Sequence, residues 1–314
     1  MVRFYVRSMF QVLLLAAFAG LIIHEGAAQS DAGPIGQFSQ YNETSGANLS
    51  HREWAAVLNV MVMNDEGKLG YGRLSTEGHR ILGSYLQGLQ KLKVSEFSKD
   101  EQLAYWLNFY NAGSLALLFE ALDKWVLRAS NKKLMNPNYV PKYSPRKFVQ
   151  GKTGAMTDRR FIIEGVSLSL DDIRNRIIFA HWTSPYVIYG LSCAAKGCPR
   201  MTKSPFIGSA VWNQLQAAAR TFINRPETAQ MKKKGLLLSS YYVWNGDQVG
   251  QGPALMEHLR SIADGALKAQ LAGVDAPYDD KFSWYLNGEL PPLRPGQRGL
   301  PNRGSGEFVY GPSN

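Results

Sequence analysis

The chain has 314 residues, of which 45% are hydrophobic and 19% are charged, and its formal net charge at neutral pH is +10. This length and apolar content allow a sizeable core and lie at the upper end for one domain. A basic balance favours nucleic acid, anionic lipid or cell-wall polymer as a partner. No basic helix interleaves aromatic residues as nucleic-acid readers do, so we expect no nucleic-acid partner.

The first 28 residues have the pattern of a secretory signal peptide. Arg3 and Arg7 precede an apolar run from Met9 to Ile23, and Gly26 and Ala28 are the small residues of a cleavage site. The alternative, an uncleaved anchor, needs about 20 apolar residues, and this run is shorter. We predict cleavage after Ala28 and a periplasmic or secreted protein with no later membrane span. Cleavage removes two arginines and one glutamate, which leaves a formal charge of +9.

The two ends of the mature chain lack the apolar periodicity of a folded domain. Residues 29–48 are rich in Gly, Ser, Gln and Asn, and residues 289–314 are punctuated by Pro and Gly. We therefore predict a flexible linker over 29–48, one folded domain over 49–288 and a disordered tail over 289–314.

The first half of the domain is predicted to be helical. Ser50 with Glu53, and Ser98 with Glu101, have the spacing of capping boxes, which predicts helices that begin near His51 and Lys99. The second of these helices carries a broad apolar stripe at spacings of three and four residues. A further helix is predicted over 75–92.

The second half mixes strands and helices. A hairpin is predicted around Gly165, and Ser169 is placed to cap a helix that runs to about Phe179. The uninterrupted apolar run over 186–191 is typical of a buried central strand. Two short strands over 236–239 and 241–244 and two helices, over 209–224 and 253–263, complete a mixed α+β domain.

Both cysteines of the chain, Cys193 and Cys198, lie in SCAAKGCP, directly after the predicted core strand. In an exported protein, two cysteines favour a disulfide, and the four residues between them, which include Gly197, can close such a loop. Two free thiols, a redox pair and half of a metal site are the alternatives. A redox pair more often has two intervening residues and a zinc site needs two more ligands, so we expect no metal and no cofactor.

A catalytic thiolate is the sharper alternative. Lys196 lies two residues before Cys198, and a nearby cation lowers the pKa of a thiol. Such a nucleophile needs a base within hydrogen-bonding reach, and His181 is the histidine that the sequence brings near the loop. A histidine at the end of a helix can instead cap carbonyl groups. His51 and His258 are expected to be solvated.

Asn108 and Asn111 lie three residues apart on the long helix, beside Tyr110 and other aromatic residues. A buried amide costs stability unless its donors and acceptors are paired. The structural interpretation is that these amides tie the helix to a loop. The functional one is that Asn108, Tyr110 and Asn111 line a pocket or an oxyanion site.

Five segments, taken together, resemble the bacterial domain-of-unknown-function family 547. They occur in the order and spacing of that family, and the resemblance covers nearly all of residues 50–288. The segments are LAYWLNFYNA (Leu103 to Ala112), VSLSLDDI (Val166 to Ile173), SPYVIYGLSCAAKGCPRM (Ser184 to Met201), SSYYVW (Ser239 to Trp244) and FSWYLN (Phe282 to Asn287).

The resemblance implies a single α+β domain similar to papain-type thiol hydrolases, with a cysteine, a histidine and an acidic residue as the catalytic set. Cys198 matches the cysteine. The family usually has Glu-His where this chain has Arg174-Asn175, a histidine at Ile188, and aspartates at Val243 and Ser283. The groups that would activate the thiol are therefore replaced.

Two hypotheses follow. The first is a catalytically degenerate, exported papain-like domain that binds a ligand in a retained groove, with its cysteines bridged. The second is a cysteine hydrolase of peptide, amide or thioester bonds, with Cys198 as nucleophile and His181 as a relocated base. The expected partner of the binding module is an anionic cell-envelope polymer or a peptide. A third, structural role would use the positive charge to hold anionic polymer in the envelope.

Overall fold

The computed structural model describes residues 33–128, 142–150, 154–294, 296 and 300. These residues form an α+β domain in which helices predominate and the sheets are small. The predicted α+β class is thereby confirmed, whereas the papain-like arrangement remains a prediction. The predicted signal peptide lies outside the described residues, and no described helix is both long enough and apolar enough to cross a membrane.

The helices are numbered in chain order. They are α1 (Arg52–Met61), α2 (Thr76–Gln90), α3 (Lys99–Arg128), α4 (Arg146–Gln150), α5 (Leu170–Asp172, a π-helical turn Ile173–Ile178 and Phe179–His181), α6 (Val211–Ile223), α7 (Ser240–Trp244), α8 (Gly246–Val249), α9 (Gly252–Ile262) and α10 (Gly265–Leu271). Short 3-10 turns occupy Gly36–Ser39, Val94–Glu96, Val187–Gly190 and Gly208–Ala210.

Seven short strands form three small sheets within the described residues. β1 (Leu69–Gly70) pairs in parallel with β7 (Gly288–Glu289), and β2 (Phe161–Ile163) forms an antiparallel hairpin with β3 (Val166–Leu168). β4 (Ala229–Lys232) is antiparallel to β5 (Gly235–Leu238), which pairs in parallel with β6 (Asp279–Asp280). The predicted hairpin around Gly165 is confirmed.

Serine caps start several of these helices where the sequence predicts. The Ser75 hydroxyl accepts from the backbone of Gly78, and Ser169 and Asp172 form a complete capping box at the start of α5. The box predicted at Ser50 is wrong: α1 begins one residue after His51 and has no side-chain cap. The Ser98 hydroxyl accepts from the Glu101 amide. The Glu101 carboxylate does not complete the box, because it accepts from the backbone amides of Leu49 and Gly208 instead.

Helix α3 is the centre of the larger core cluster. Its side chains from Glu101 to Phe119 are buried on every face, and not only on the stripe that periodicity identified. A helix that is apolar all round is typical of a protein centre. The smaller cluster packs α6 and α9 against β5 and the two cysteines. The turn Val187–Gly190 contributes residues to both clusters.

The predicted central strand over 186–191 is wrong, because this run forms the buried 3-10 turn Val187–Gly190. A short apolar run does not distinguish a strand from a buried helical turn. Side chains provide the hydrogen bonds that a neighbouring strand would give. Asn111 donates to the Gly190 carbonyl group and Tyr241 donates to the Ile188 carbonyl group.

The predicted strand over 241–244 is also wrong, since these residues belong to helix α7. The Ser239 hydroxyl caps the helix by accepting from the Tyr241 amide. Tyr241 and Tyr242 are both buried although they are adjacent, which a strand with one solvated face does not allow. The strand over 236–239 is confirmed as β5, and the helices over 209–224 and 253–263 are confirmed as α6 and α9.

A few residues of the predicted linker and tail pack onto the domain. Phe38 is 1% exposed and meets Trp106 edge to face, with ring centroids 5.0 Å apart. Beyond residue 288, β7 extends the β1 sheet, and Leu300 is buried and donates its amide to Asp123. Isolated aromatic and leucine side chains anchor these segments.

Candidate functional site: a disulfide loop beside an aromatic groove

Cys193 and Cys198 are joined in a disulfide that closes a loop of six residues, here called the cysteine loop. Both cysteines are nearly inaccessible, with Cys193 6% exposed and Cys198 2% exposed. No helix begins at the loop, since the next helical turn starts at Gly208. The loop thus lacks the reactive thiolate, and also the helix N-terminus that would activate a thiol.

The base expected for Cys198 lies elsewhere. The Nε2 atom of His181 is 3.2 Å from the carbonyl oxygen of Ile35 in the N-terminal segment, and its ring contacts Trp182. None of these contacts joins His181 to the cysteine loop. The expected pair of catalytic residues is therefore corrected: Cys198 is one half of a disulfide, and His181 ties the N-terminal segment to the end of α5.

The amide of Asn111 fixes the entry of the cysteine loop. Its Nδ2 atom donates to the Gly190 carbonyl oxygen at 2.7 Å, and its Oδ1 atom accepts from the Ser192 amide at 2.9 Å. Asn108 does the same for another loop, because its side chain both donates to and accepts from the backbone of Phe206. The two amides tie α3 to loops, which is the structural interpretation.

These groups do not form an oxyanion site. The cavity that Asn108 and Asn111 line has a volume of about 10 Å³, which is the size of one water molecule at most. Tyr110 is buried, and burial raises the pKa of its phenol. The expected pocket lined by Asn108, Tyr110 and Asn111 is therefore wrong. These side chains are packed together, and each of the two amides donates one hydrogen bond to the backbone and accepts one from it.

Arg225 fixes the exit of the cysteine loop. Its Nη2 atom donates to the Cys198 carbonyl oxygen at 2.9 Å and to the Lys196 carbonyl oxygen at 3.3 Å. Burial, followed by the nearby charge of Arg200, lowers the pKa of Arg225 to about 10, so the guanidinium remains charged at neutral pH. Hydrogen bonds from a charged donor are stronger than neutral ones, which makes this a firm clamp.

The third support of the cysteine loop is the segment 283–287. The Lys196 amide donates to the Tyr285 carbonyl oxygen at 2.8 Å, the Gly197 amide donates to the Ser283 carbonyl oxygen at 3.0 Å, and Ala195 pairs with Leu286. A Cβ atom on Gly197 would lie 2.6 Å from the ring of Phe282, so the loop and this ring are in close contact. The cysteine loop is thus the platform on which residues 282–287 rest.

The positions where the resemblance leads us to expect an acid or a base carry other side chains. Arg174 donates to Asn175 and Asn245, and its guanidinium lies 4.6 Å from the centroid of the Phe179 ring. Ile188 is fully buried, whereas Val243 is exposed. No histidine, aspartate or glutamate stands at these positions to act as the missing base or acid.

The histidines that the sequence placed in solvent are buried. His51 and His258 are 6% and 9% exposed, and each hydrogen-bonds a tyrosine hydroxyl group, from Tyr85 and Tyr189 respectively. Burial lowers the pKa of each histidine to about 4. Both rings are therefore neutral structural groups at neutral pH. Among the described residues, no group of three or more His, Cys, Asp or Glu side chains could hold a metal ion.

A half-open groove of about 710 Å³ lies against the outer side of residues 282–285. We call it the aromatic groove. Its lining is Lys142, Tyr143, Ser144, Glu227, Gln230, Lys232, Leu237, Leu238, Lys281, Phe282, Ser283, Trp284 and Tyr285.

Three aromatic residues of the groove lie close together in the sequence, in the segment that rests on the cysteine loop. They are Phe282, Trp284 and Tyr285. The rings of Phe282 and Trp284 are 4.4 Å apart, and Trp244 packs behind both of them. Tyr285 is 69% exposed, which is unusual for a large aromatic side chain. Exposed aromatic groups beside a groove mark an interaction site.

The groove is positively charged. Lys142, Lys232 and Lys281 form no ion pair with any described residue, whereas the one lining carboxylate, Glu227, pairs with Arg200 at 2.8 Å. Sequence reasoning missed this site, because FSWYLN served only as a family marker. The signal that could have found it is the combination of adjacent Trp284 and Tyr285 with Lys281 in a segment of weak periodicity.

A comparison with protein-family models matches residues 94–223 to a family described as "Protein of unknown function, DUF547". The match runs from the turn before α3 to the end of α6 and includes the cysteine loop. Most residues of the aromatic groove lie after it. No curated protein and no solved structure matches the chain.

Proposed function

We propose that this chain, whose residues 94–223 match a family of unknown function, is a non-catalytic binding module. In this proposal an anionic polymer of the cell envelope occupies the aromatic groove. In this proposal the domain retains the papain-like architecture that the resemblance implies but has lost the thiol-hydrolase activity. The observation that carries the proposal is that the cysteine loop is bridged and clamped, and supports a row of aromatic side chains, of which Phe282 and Trp284 are half-buried and Tyr285 is exposed.

The disulfide disfavours the alternative, a cysteine hydrolase. A bridged sulfur has no thiolate to attack a carbonyl group, and hydrolysis through Cys198 would require reduction first. Reduction alone would not supply a base, because His181 bonds to the Ile35 carbonyl group. A binding function needs neither a thiol nor a base.

Charge favours an anionic ligand. Three lysines of the groove have no acidic partner among the described residues, and Glu227 is neutralised by Arg200. Such exposed cations attract a polyanion over roughly 10 Å at ~0.1 M salt. The aromatic rings beside these lysines add apolar contact area. A ligand held by charge alone would not use this area.

The disulfide also supports the proposed location outside the cytoplasm, because structural disulfides persist in oxidising compartments. The test is the mass of the protein purified from its own cells. Cleavage after Ala28 gives a chain that begins at Gln29. A mass that includes residues 1–28 in a membrane fraction would contradict a cleaved, periplasmic or secreted protein.

The first functional test is alkylation of the unfolded, unreduced protein followed by mass spectrometry. We expect no labelled cysteine without reductant and two labelled cysteines with it. Labelling of both cysteines without reductant, together with selective modification of Cys198 by an electrophile in the folded protein, would support the hydrolase instead. So would turnover of an ester or thioester that is lost in Cys198→Ser.

The second test is calorimetric titration with polygalacturonate, an acidic probe, and with dextran as a neutral control. We expect binding of the acidic polymer only, and loss of that binding as salt rises to several hundred millimolar. Trp284→Ala and Lys281→Glu should each weaken binding roughly tenfold. Matched controls are Trp212→Ala, whose indole bonds to Asp100 outside the groove, and Lys268→Glu on the exposed face of α10.

The proposal fails if the groove variants and their controls bind equally well. Loss of binding in all four variants would also count against it, because it would place the interaction in diffuse surface charge rather than in the groove.

A further inference from the structure

A second cavity adjoins the aromatic groove, and we propose that it is a second subsite for the same ligand, an acidic polysaccharide that crosses Tyr143 from one cavity to the other. This inference rests on the proposed function of the aromatic groove. The second cavity has a volume of about 460 Å³ and is here called the α3–α4 cavity. Its lining is Leu117, Glu120, Ala121, Lys124, Trp125, Arg128, Tyr143, Ser144, Lys147, Phe148, Gly154, Ala155, Asp158 and Arg160.

The two cavities adjoin each other at shared residues. Tyr143 and Ser144 line both of them. The Tyr143 ring meets the ring of Trp125 edge to face, with centroids 5.7 Å apart, so aromatic surface continues from the groove into the α3–α4 cavity. A chain that leaves the groove past Tyr143 therefore enters the second cavity directly.

The charge pattern repeats in the second cavity. Its two carboxylates, Glu120 and Asp158, are both paired with Arg160, at 2.7 Å and 3.6 Å. Lys124, Arg128 and Lys147 form no ion pair with any described residue and lie exposed around the cavity. In each cavity the carboxylates are thus paired with an arginine, Arg200 beside the groove and Arg160 within the second cavity, and three cations are left for a ligand.

Flat rings next to unpaired cations fit an acidic sugar better than an acidic peptide. The C–H groups of a pyranose ring carry partial positive charge and pack against the negative face of an aromatic ring. A carboxylate attached to that sugar ring is then held at a fixed distance from the aromatic surface, where lysines can reach it. In polyglutamate the carboxylates sit on flexible side chains that carry no flat apolar face. The cost of ordering them is therefore higher.

The test is a length series of oligogalacturonates, from the disaccharide to the dodecasaccharide, with polyglutamate as the peptide control. A chain that reaches both cavities gains affinity because its second contact is intramolecular. We expect the dodecasaccharide to bind at least tenfold more tightly per chain than the disaccharide. Lys124→Glu and Lys147→Glu should abolish most of this gain, whereas Lys268→Glu should preserve it.

The outcomes separate this inference from the proposed function. Equal affinity for short and long chains, or a length gain that survives both cavity variants, overturns the second subsite. The aromatic groove still stands in that case if Trp284→Ala weakens every chain length. Equal binding of polyglutamate with the same dependence on Trp284 overturns the polysaccharide and leaves an acidic peptide. If neither Trp284→Ala nor Lys281→Glu has an effect, the proposed function itself is wrong.

Discussion

At the scale of single residues, Asn111 shows why a buried amide can look functional in a sequence. It lies on the central helix beside aromatic residues, and both halves of its amide are used by the backbone on either side of Leu191. A buried donor and acceptor left without partners cost about 1–3 kcal/mol each. The role of Asn111 is therefore to hold the start of the cysteine loop.

We predict that Asn111→Leu lowers the free energy of unfolding by about 2–4 kcal/mol, because the Ser192 amide and the Gly190 carbonyl group lose their partner. Urea denaturation followed by circular dichroism measures this change. Asn213→Ala is the control, since Asn213 lies on the exposed side of α6 and should change stability by no more than about 0.5 kcal/mol. A similar loss in both variants would show that the Asn111 clamp is not special.

The buried histidines predict a pH dependence of stability. Burial holds the pKa of His51 and of His258 at about 4 in the folded protein, below the unfolded value of about 6.5. Between these two values the unfolded chain binds more protons, so the free energy of unfolding falls as pH drops from about 6.5 towards 4. The contribution is fully present above the unfolded pKa.

The measurement is urea denaturation of the protein and of the His51→Gln/His258→Gln double variant at about pH 7 and about pH 5. The double variant is expected to be less stable at neutral pH but to lose less stability on acidification. Parallel pH dependence in both proteins would show that other groups titrate in this range.

At the scale of elements, the cysteine loop joins the packed core to the groove. Gly197 is the point of contact, because any Cβ atom there would meet ring carbons of Phe282 at 2.6–2.8 Å. Phe282 in turn packs against Trp284, 4.4 Å away. A shift in this ring therefore reaches the aromatic wall while the disulfide stays intact.

We predict that Gly197→Ala weakens polygalacturonate binding roughly fivefold and lowers the free energy of unfolding by about 1–3 kcal/mol, because an overpacked contact must open. Calorimetric titration and denaturation measure the two effects. The control is Gly273→Ala, since an added Cβ atom at Gly273 meets nothing within 4 Å. If binding is unchanged while stability falls as predicted, the contact at Gly197 does not influence the groove.

Some helix starts were predictable from the sequence. Ser169 caps α5 as predicted, because a cap acts within one turn of the chain, whereas the capping box predicted at Ser50 does not form. The run over 186–191 carried no such signal. Its conformation depends on Asn111 and Tyr241, which are distant in the sequence and supply its hydrogen bonds.

At the scale of the whole molecule, the N-terminal segment is part of the fold. Phe38 is buried against Trp106, the Ile35 amide donates to the Arg176 carbonyl oxygen at 3.0 Å, and Arg176 donates to Gly33. Composition predicted a linker here because a single anchoring ring leaves no periodic pattern.

We predict that Phe38→Ala lowers the free energy of unfolding by about 3–5 kcal/mol, because it removes a fully buried aromatic ring from the core. Differential scanning calorimetry and urea denaturation both measure the loss. Tyr41→Ala is the control in the same segment, since Tyr41 is exposed and should cost less than about 1 kcal/mol. Equal effects in both variants would restore the linker interpretation.

The sequence by itself determined the α+β class, most of the helices and the β2–β3 hairpin, because periodicity and caps act over a few residues. Only the tertiary structure decided that His181 lies away from Cys198 and that Asn108 and Asn111 serve the backbone. It also decided that an aromatic groove stands on the cysteine loop. Residues 142–144, 227–238 and 281–285 build that groove from separate parts of the chain. Their proximity follows from packing around a shared core, which no local pattern encodes.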